Sequence, residues 1–268
     1  MDSFCPLCDS AKIYPVFDSL YRCRKCGCAF SGVSAPLAYD DDYFTAGYLK
    51  QYGRTYEDDF PQIYKTALVR MERIQKMSAY RKERILDIGC ALGFFLKAAL
   101  DRGFASVKGI EISAYASNYC AEKFGFDVLR EDFEKIPNLG IHDAITAWYF
   151  IEHCCEPFKA VEKIFASLAE NGVFAFSAPS VFGPMYGFHK NEWAALRPSD
   201  HRVDFTPGSA RRMLKRAGFK KVKIYAAGFH PERVISDKRF FYKAFCVIYN
   251  LFAKLTGYSD TIEVYAAK

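Results

Sequence analysis

The run from Ile85 to Leu96, ILDIGCALGFFL, constrains this chain more than any other stretch. Apolar Ile85, Leu86 and Ile88 surround one acidic residue, Asp87, in the manner of a buried strand. Gly89-Cys90-Ala91-Leu92-Gly93 then reads as a tight turn, and FFLKAAL opens a helix. Glycines in such a corner allow positive φ and close approach of another molecule to the backbone, while the helix start offers free N–H groups. Strand, glycine turn and helix together predict a ligand-binding corner in an α/β domain.

The residues downstream keep the alternation. The patterns predict strands at Arg84–Ile88, Ser106–Glu111, Phe126–Arg130, Asp143–Trp148, Gly172–Ser177, Lys220–Tyr225 and Thr261–Tyr265. Helices are expected at Phe60–Met77, Phe94–Arg102, Ala114–Phe124, Pro157–Leu168 and Gly208–Ala217. Such alternation implies a mainly parallel sheet covered on both faces, with ligand at the carboxyl ends of the central strands. Glu111 stands at the tip of the second strand, in GIEIS, about twenty-four residues after Asp87. Asp132 follows the third strand in FDVLREDFEKIP, and HDAITAWYFIEHCCEP carries the fourth strand into an aromatic turn.

With these residues in place, the chain resembles the class I S-adenosylmethionine-dependent methyltransferases of the type 11/23-like branch, which combine a DxGCxxGxF corner with an EHxxxP turn. The resemblance is strong over about residues 84–180. It implies a Rossmann-like seven-stranded sheet in the order 3-2-1-4-5-7-6, with the last two strands as a reversed edge hairpin. It also implies S-adenosylmethionine as cofactor. Asp87, Gly89, Ala91 and Gly93 would line the first turn, Ala91 standing where the family has glycine. Asp87 and nearby backbone would hold the ammonium and carboxylate of the methionine part; a carboxylate capping the turn is the plainer reading. Glu111, with Ile112 beside it, would accept from the two ribose hydroxyls. Asp132 would accept from the adenine amino group and the Phe133 backbone would read the ring edge, although Glu131 and Glu134 stand close enough to exchange roles. Trp148 and Tyr149 would flank the sulfonium, or else pack in the core.

The first thirty residues make a separate module. Cys5 and Cys8 form one C-x-x-C knuckle, and Cys23 and Cys26 form another after fourteen intervening residues. This is zinc-ribbon spacing, with four thiolates at the corners of a tetrahedron and no open position for catalysis. Cys28, one residue past Gly27, reads as a spare or substitute ligand. Ten cysteines without an N-terminal apolar run point to a reducing, cytoplasmic setting, where metal binding is favoured over disulfides. The expected organisation is a ribbon over 1–30, a linker and lid segment over 31–80 and the catalytic domain over 81–268, with substrate-cover insertions at 181–205 and 228–258.

The linker interleaves Tyr39, Tyr43, Phe44, Tyr48 and Tyr52 with Asp40, Asp41 and Asp42, and reads either as packing on the catalytic domain or as a lid. A net charge of +6 suits an anionic substrate but is too diffuse to argue for nucleic acid. No apolar stretch is long enough to span a membrane. Phe241, Phe245, Ile248, Tyr249 and Phe252 share one helical face near the C-terminus, which reads as buried, as a homodimer contact or as a membrane-surface stripe.

Methyl transfer from a sulfonium needs an aligned acceptor, and a base when the acceptor is a hydroxyl. His153, in the EHCCEP turn, and His201, in RPSDHRVDFTP, are the candidates for that base or for a substrate contact; each could equally be a structural histidine. His189 is a weaker candidate, and His142 and His230 read as surface residues. In quinone-type relatives an ExxEH arrangement can hold a divalent ion; Tyr149 occupies its first position here, which argues against that ion. By that resemblance the expected activity is methylation of a small molecule, most simply at oxygen, with a sugar, glycolipid or other metabolite as acceptor. RNA or protein methylation, with the ribbon as grip, is the alternative enzyme reading; a non-catalytic ribbon protein is a third.

Overall fold

The N-terminal cysteines close two knuckles. Asp9 N–H donates to the Cys5 carbonyl at 3.0 Å and Gly27 N–H to the Cys23 carbonyl at 2.9 Å. Between and after them run three short antiparallel strands, β1 (Ile13–Phe17), β2 (Leu20–Cys23) and β3 (Ala29–Ser31). The computed structural model describes residues 4–33, 43–78, 81–238 and 240–268. Tyr39, Asp40, Asp41 and Asp42 of the linker lie outside them.

A π-helical turn at Tyr43–Gly47 leads into the short helix α1 (Tyr48–Tyr52) and then α2 (Phe60–Gln75). Pro61 in the first turn suits a helix start, and Ala67, Met71 and Ile74 at helical spacing supply the buried face of α2. The alternating domain follows as β4 (Arg84–Ile88), α3 (Phe94–Asp101), β5 (Ser106–Ile110), α4 (Ala114–Phe124), β6 (Asp127–Leu129), β7 (His142–Trp148), α5 (Pro157–Ala166) and β8 (Leu168–Pro179). Two short helices, α6 (Pro184–Phe188) and α7 (Lys190–Leu196), fill the expected loop before β9 (Val203–Asp204). The chain ends with α8 (Pro207–Ala217), β10 (Lys221–Ala227), α9 (Tyr242–Thr256) and β11 (Thr261–Ala267).

The seven-stranded sheet runs β10-β11-β8-β7-β4-β5-β6. Numbering only its own strands, this is the 3-2-1-4-5-7-6 order read from the far edge. β4 pairs in parallel with β5 and β7, and β5 with β6. β4 is central because Ile85, Leu86 and Ile88 are apolar on both faces and fully covered. Each such side chain contributes about 1.5–3 kcal/mol by leaving water. Ser113 caps α4 by accepting from Ala116 N–H at 3.1 Å, and Gly125 ends it at φ +68°.

A second sheet has the order β1-β2-β3-β9. Ala29 pairs with Asp204 and Phe30 with Val203, so the segment after His201 becomes the fourth strand of the cysteine module. The chain forms two compact units. One holds the cysteine module, Ile151–Glu162 and Phe176–Val264; the other holds the segment ending at Phe150, Lys163–Ala175 and Tyr265–Lys268.

Candidate active site

The first turn is built as tightly as its glycines suggest. Gly89 sits at φ +69°, and a Cβ there would come within 2.7 Å of the Phe150 ring. Gly93, the residue before α3, sits at φ +77°, and a Cβ would meet Cys120 Sγ at 2.9 Å. Both positions therefore exclude a side chain twice over, by conformation and by space. Ala91 also takes positive φ, +48°, which explains why the family's pattern has glycine there.

Asp87 and Glu111 stand at the ends of neighbouring strands, and both are buried. Asp87 accepts from Thr146 Oγ at 2.6 Å. Burial pushes its carboxyl up to about 7, against the opposing effects of Thr146 and of the Arg70 guanidinium. Glu111 accepts from Ser113 N–H at 3.0 Å through one oxygen and from Ala91 N–H at 2.9 Å through the other. Burial raises its pKa too, with these backbone donors opposing the rise. Each carboxylate oxygen keeps a lone pair for a further donor. Ile112, next in the chain, is exposed.

Asp132 spends its carboxylate locally. One oxygen accepts from Glu134 N–H at 3.0 Å and the other lies 3.5 Å from Lys135 Nζ. The Phe133 carbonyl accepts from Lys163 Nζ at 2.6 Å, and its ring packs edge-on against Phe150 at 5.6 Å. Trp148 lies 5.1 Å from the Phe95 ring with the Arg70 guanidinium 4.1 Å above it; Tyr149, at φ +55°, is half exposed. The described part of the linker packs on the same corner. Phe44 clusters with Leu92, Phe94 and Ala116, alongside Tyr43 and Tyr56. The Tyr56 hydroxyl is pushed well up by burial, with Tyr43, Tyr48, Asp87 and Glu111 adding to it.

The other unit carries the candidate histidines His153 and His201. His153 and His201 meet edge to face with ring centroids 4.8 Å apart. Glu152, His153 and His201 bring ligand-type atoms within 4.8 Å of one another, an arrangement able to hold a cation. Glu152 is fully buried and its Oε2 accepts no hydrogen bond among the described residues. Burial therefore raises the Glu152 pKa, against the pull of the two histidines. Burial also opposes charge on His153, but Asp200, with Oδ2 3.2 Å from Nδ1, and Glu152 more than compensate and hold the imidazole above its usual range. His201 Nδ1 lies 3.6 Å from Asp204, whose other oxygen accepts from Arg197 Nε at 2.6 Å. Arg197 and His201 also line a cavity of about 230 Å³ walled by Met185, Trp193 and Leu196.

Comparison with known proteins gives the family and the fold. Residues 63–224, more than half of the chain, match the methyltransferase domain. The chain belongs to the methyltransferase-domain family. The ubiquinone biosynthesis O-methyltransferase of Psychrobacter arcticus is 28% identical over 166 residues, covering 56% of this chain and 63% of that protein. The match thus spans less than two thirds of that relative's length. A SAM-dependent methyltransferase from Archaeoglobus fulgidus shares the fold at TM-score 0.54 and 17% identity, over 82% of this chain and 98% of that one. The plantazolicin methyltransferase BpumL, solved with SAH, does so at TM-score 0.54 and 15% identity, over 84% and 88%.

Asp87, Gly89, Ala91, Gly93, Glu111, Ile112, Asp132, Phe133, Trp148 and Tyr149 all lie in one unit, while His153 and His201 meet in the other. The four cysteines Cys5, Cys8, Cys23 and Cys26 also converge, with sulfur separations of 3.6 Å for Cys5–Cys26 and Cys8–Cys23. Tetrahedral zinc with bonds near 2.3 Å requires about 3.8 Å between thiolates, so the set fits that ion. Cys28 is buried with its sulfur 3.5 Å from both Cys5 and Cys26. His142 departs from expectation: it is buried, with Nε2 2.8 Å from the Leu139 carbonyl. Arg70 was not singled out in the sequence. Its signal is its place on the inward face of α2, three residues after Ala67 and four before Ile74.

Proposed function

We propose that this chain is an S-adenosylmethionine-dependent methyltransferase acting on a hydroxyl of a small-molecule acceptor, a sugar, glycolipid precursor or comparable metabolite. The meeting of His153 and His201 beside Glu152, Asp200 and Asp204 carries the reading. A hydroxyl must lose its proton as it attacks, and two imidazoles backed by carboxylates are suited to take it. His201 is the better placed of the two, because it lines the 230 Å³ cavity together with apolar Trp193 and Leu196 and charged Arg197 and Arg233. The name of the Psychrobacter relative, an O-methyltransferase, supports oxygen as the acceptor atom.

S-Adenosylmethionine, when bound, supplies the electrophilic methyl group. In our reading Asp87 holds its ammonium, Glu111 its ribose hydroxyls, and Gly89, Ala91 and Gly93 let the backbone approach it. Asp132, Phe133 and Ile112 border the adenine side, and Trp148 and Tyr149 the sulfonium side. The chemistry of the corner supports this, since two buried carboxylates, each with acceptor capacity beyond the Thr146, Ala91 and Ser113 donors, suit a cationic, hydroxyl-rich ligand. Cys5, Cys8, Cys23 and Cys26 hold a structural zinc in a ribbon over 1–30, ahead of a lid segment over 31–80 and the catalytic domain over 81–268. The pairing of the ribbon's third strand with β9 supports a scaffolding role rather than a grip on RNA or protein. Cysteine usage supports a cytoplasmic location.

The test is a screen of hydroxylated acceptors with methyl-labelled cofactor, followed by His201→Ala and His153→Ala on the best acceptor. The expected result is a loss of about 10²-fold or more in kcat for at least one variant, with cofactor affinity kept. Full turnover by both would end the assignment of either histidine as base.

A further inference from the structure

Helix α9 (Tyr242–Thr256) presents an apolar face that nothing in the chain covers among the described residues. Its inner side is settled: Tyr249 and Ala253 are buried against Ala226 of β10, with Phe245, Val234 and Tyr258 packed around them. The outer side carries Val247 at 69% exposure, Ile248 at 67%, Leu251 at 60%, Phe252 at 48% and Leu255 at 79%. At 3.6 residues per turn these five share one stripe, continued by exposed Phe241 just before the helix. Large apolar side chains exposed together in this way mark a contact surface. The sequence pattern placed Tyr249 and Phe245 in the same stripe as Ile248 and Phe252; the structure separates them, two inward and two outward.

Charge says what covers it. From Lys238 to Tyr258 the chain has four basic residues and no acidic one. Lys243 and Lys254, both exposed, stand about three turns apart and so line the same edge of the stripe. A second copy would set these lysines against each other, whereas an anionic lipid surface would neutralise them while taking the apolar side chains below its headgroups. The helix is also the wrong length to cross: fifteen residues rise about 22 Å against a hydrocarbon core of about 30 Å. No described helix is long and apolar enough to span a membrane.

We propose that α9 lies flat on an anionic membrane surface, with Val247, Ile248, Leu251, Phe252 and Leu255 inserted and Lys243 and Lys254 at the phosphates. The inference is independent of the acceptor's identity and is read without turnover. The full chain is sedimented with vesicles of phosphatidylcholine alone and of phosphatidylcholine with phosphatidylglycerol, at low and high salt. The expected result is at least tenfold more binding to the anionic vesicles, weakened by salt. Leu251→Glu with Leu255→Glu should cut it at least tenfold, with thermal unfolding and affinity for the demethylated cofactor unchanged. Lys243→Glu with Lys254→Glu should remove the preference for anionic lipid. Wild-type protein that ignores every vesicle, or the leucine variant binding as well as wild type, overturns the proposal. So does a lipid-free dimer that the leucine variant splits into monomers, which would assign the face to a second copy.

Discussion

Phe30 lies directly opposite Val203 in the antiparallel pairing of β3 with β9, and both are fully buried. Val203 is two residues beyond His201, so the cysteine module fixes the backbone that carries this histidine. The neighbouring contacts point the same way. Ser31 N–H donates to the Arg202 carbonyl at 3.0 Å, Arg202 N–H donates to the Glu152 carbonyl at 2.6 Å, and Thr206 Oγ donates to the Cys26 carbonyl at 3.3 Å. The cysteine module thus bears on the residues around the histidine pair.

Replacing Cys5→Ser together with Cys8→Ser should release one zinc per chain, measured by elemental analysis. Because metal binding is folding energy for so small a module, β3 should loosen, and amide exchange at Ser31 should rise by about two orders of magnitude. Turnover should fall with it. Affinity for the demethylated cofactor should change by less than about 0.5 kcal/mol, since the residues assigned to it lie in the other compact unit. Retention of zinc in the double variant would remove the ribbon.

Glu111→Ala should weaken binding of the demethylated cofactor about 100-fold or more, by loss of charge-assisted hydrogen bonds to two hydroxyls. The same substitution leaves Ala91 N–H and Ser113 N–H without their acceptor, so thermal unfolding must be followed in parallel. Glu111→Gln, which keeps one acceptor oxygen, should fall between the two. Unchanged affinity in Glu111→Ala would refute the ribose assignment.

The parts of the fold set by local chemistry were legible in the sequence. β4 and α4 have the expected bounds, because an apolar run ending at Gly89 defines the first, and Ser113 and Gly125 cap the second. β8 starts at Leu168, where the apolar pattern had continued α5, because Asn171 at φ +61° lies inside the strand instead of marking its start. β9 has two residues and no pattern of its own; its partner, more than 170 positions earlier in the sequence, makes it a strand. The 181–205 stretch expected as a substrate cover holds α6 and α7, with Tyr186 and Trp193 packed around Ala29 and Val181. For the same reason His153 and His201 could be nominated separately but not as a pair. Their meeting depends on tertiary contacts that no short window of sequence contains.

Asp87 gives a pH dependence whose sign runs against the usual carboxylate. Its pKa is about 7 in the folded protein, above the ordinary value of 3.8, because burial penalises the charge. Between these values the folded state holds a proton that the unfolded state has released. The stability contributed by this group is therefore complete below about pH 4 and is lost as pH rises through about 7. Asp87→Asn, which cannot ionise, should gain on wild type in thermal unfolding as pH increases over that window. Ligand binding should run the other way. A cationic ammonium beside Asp87 favours the ionised carboxylate, so binding near pH 6 should release a proton. Affinity should then climb by up to tenfold per pH unit before levelling above about pH 7. Titration calorimetry in buffers of different ionisation enthalpy measures that proton directly. Asp87→Asn should release none and bind weakly at every pH; an equal proton release from the variant would place the titrating group elsewhere.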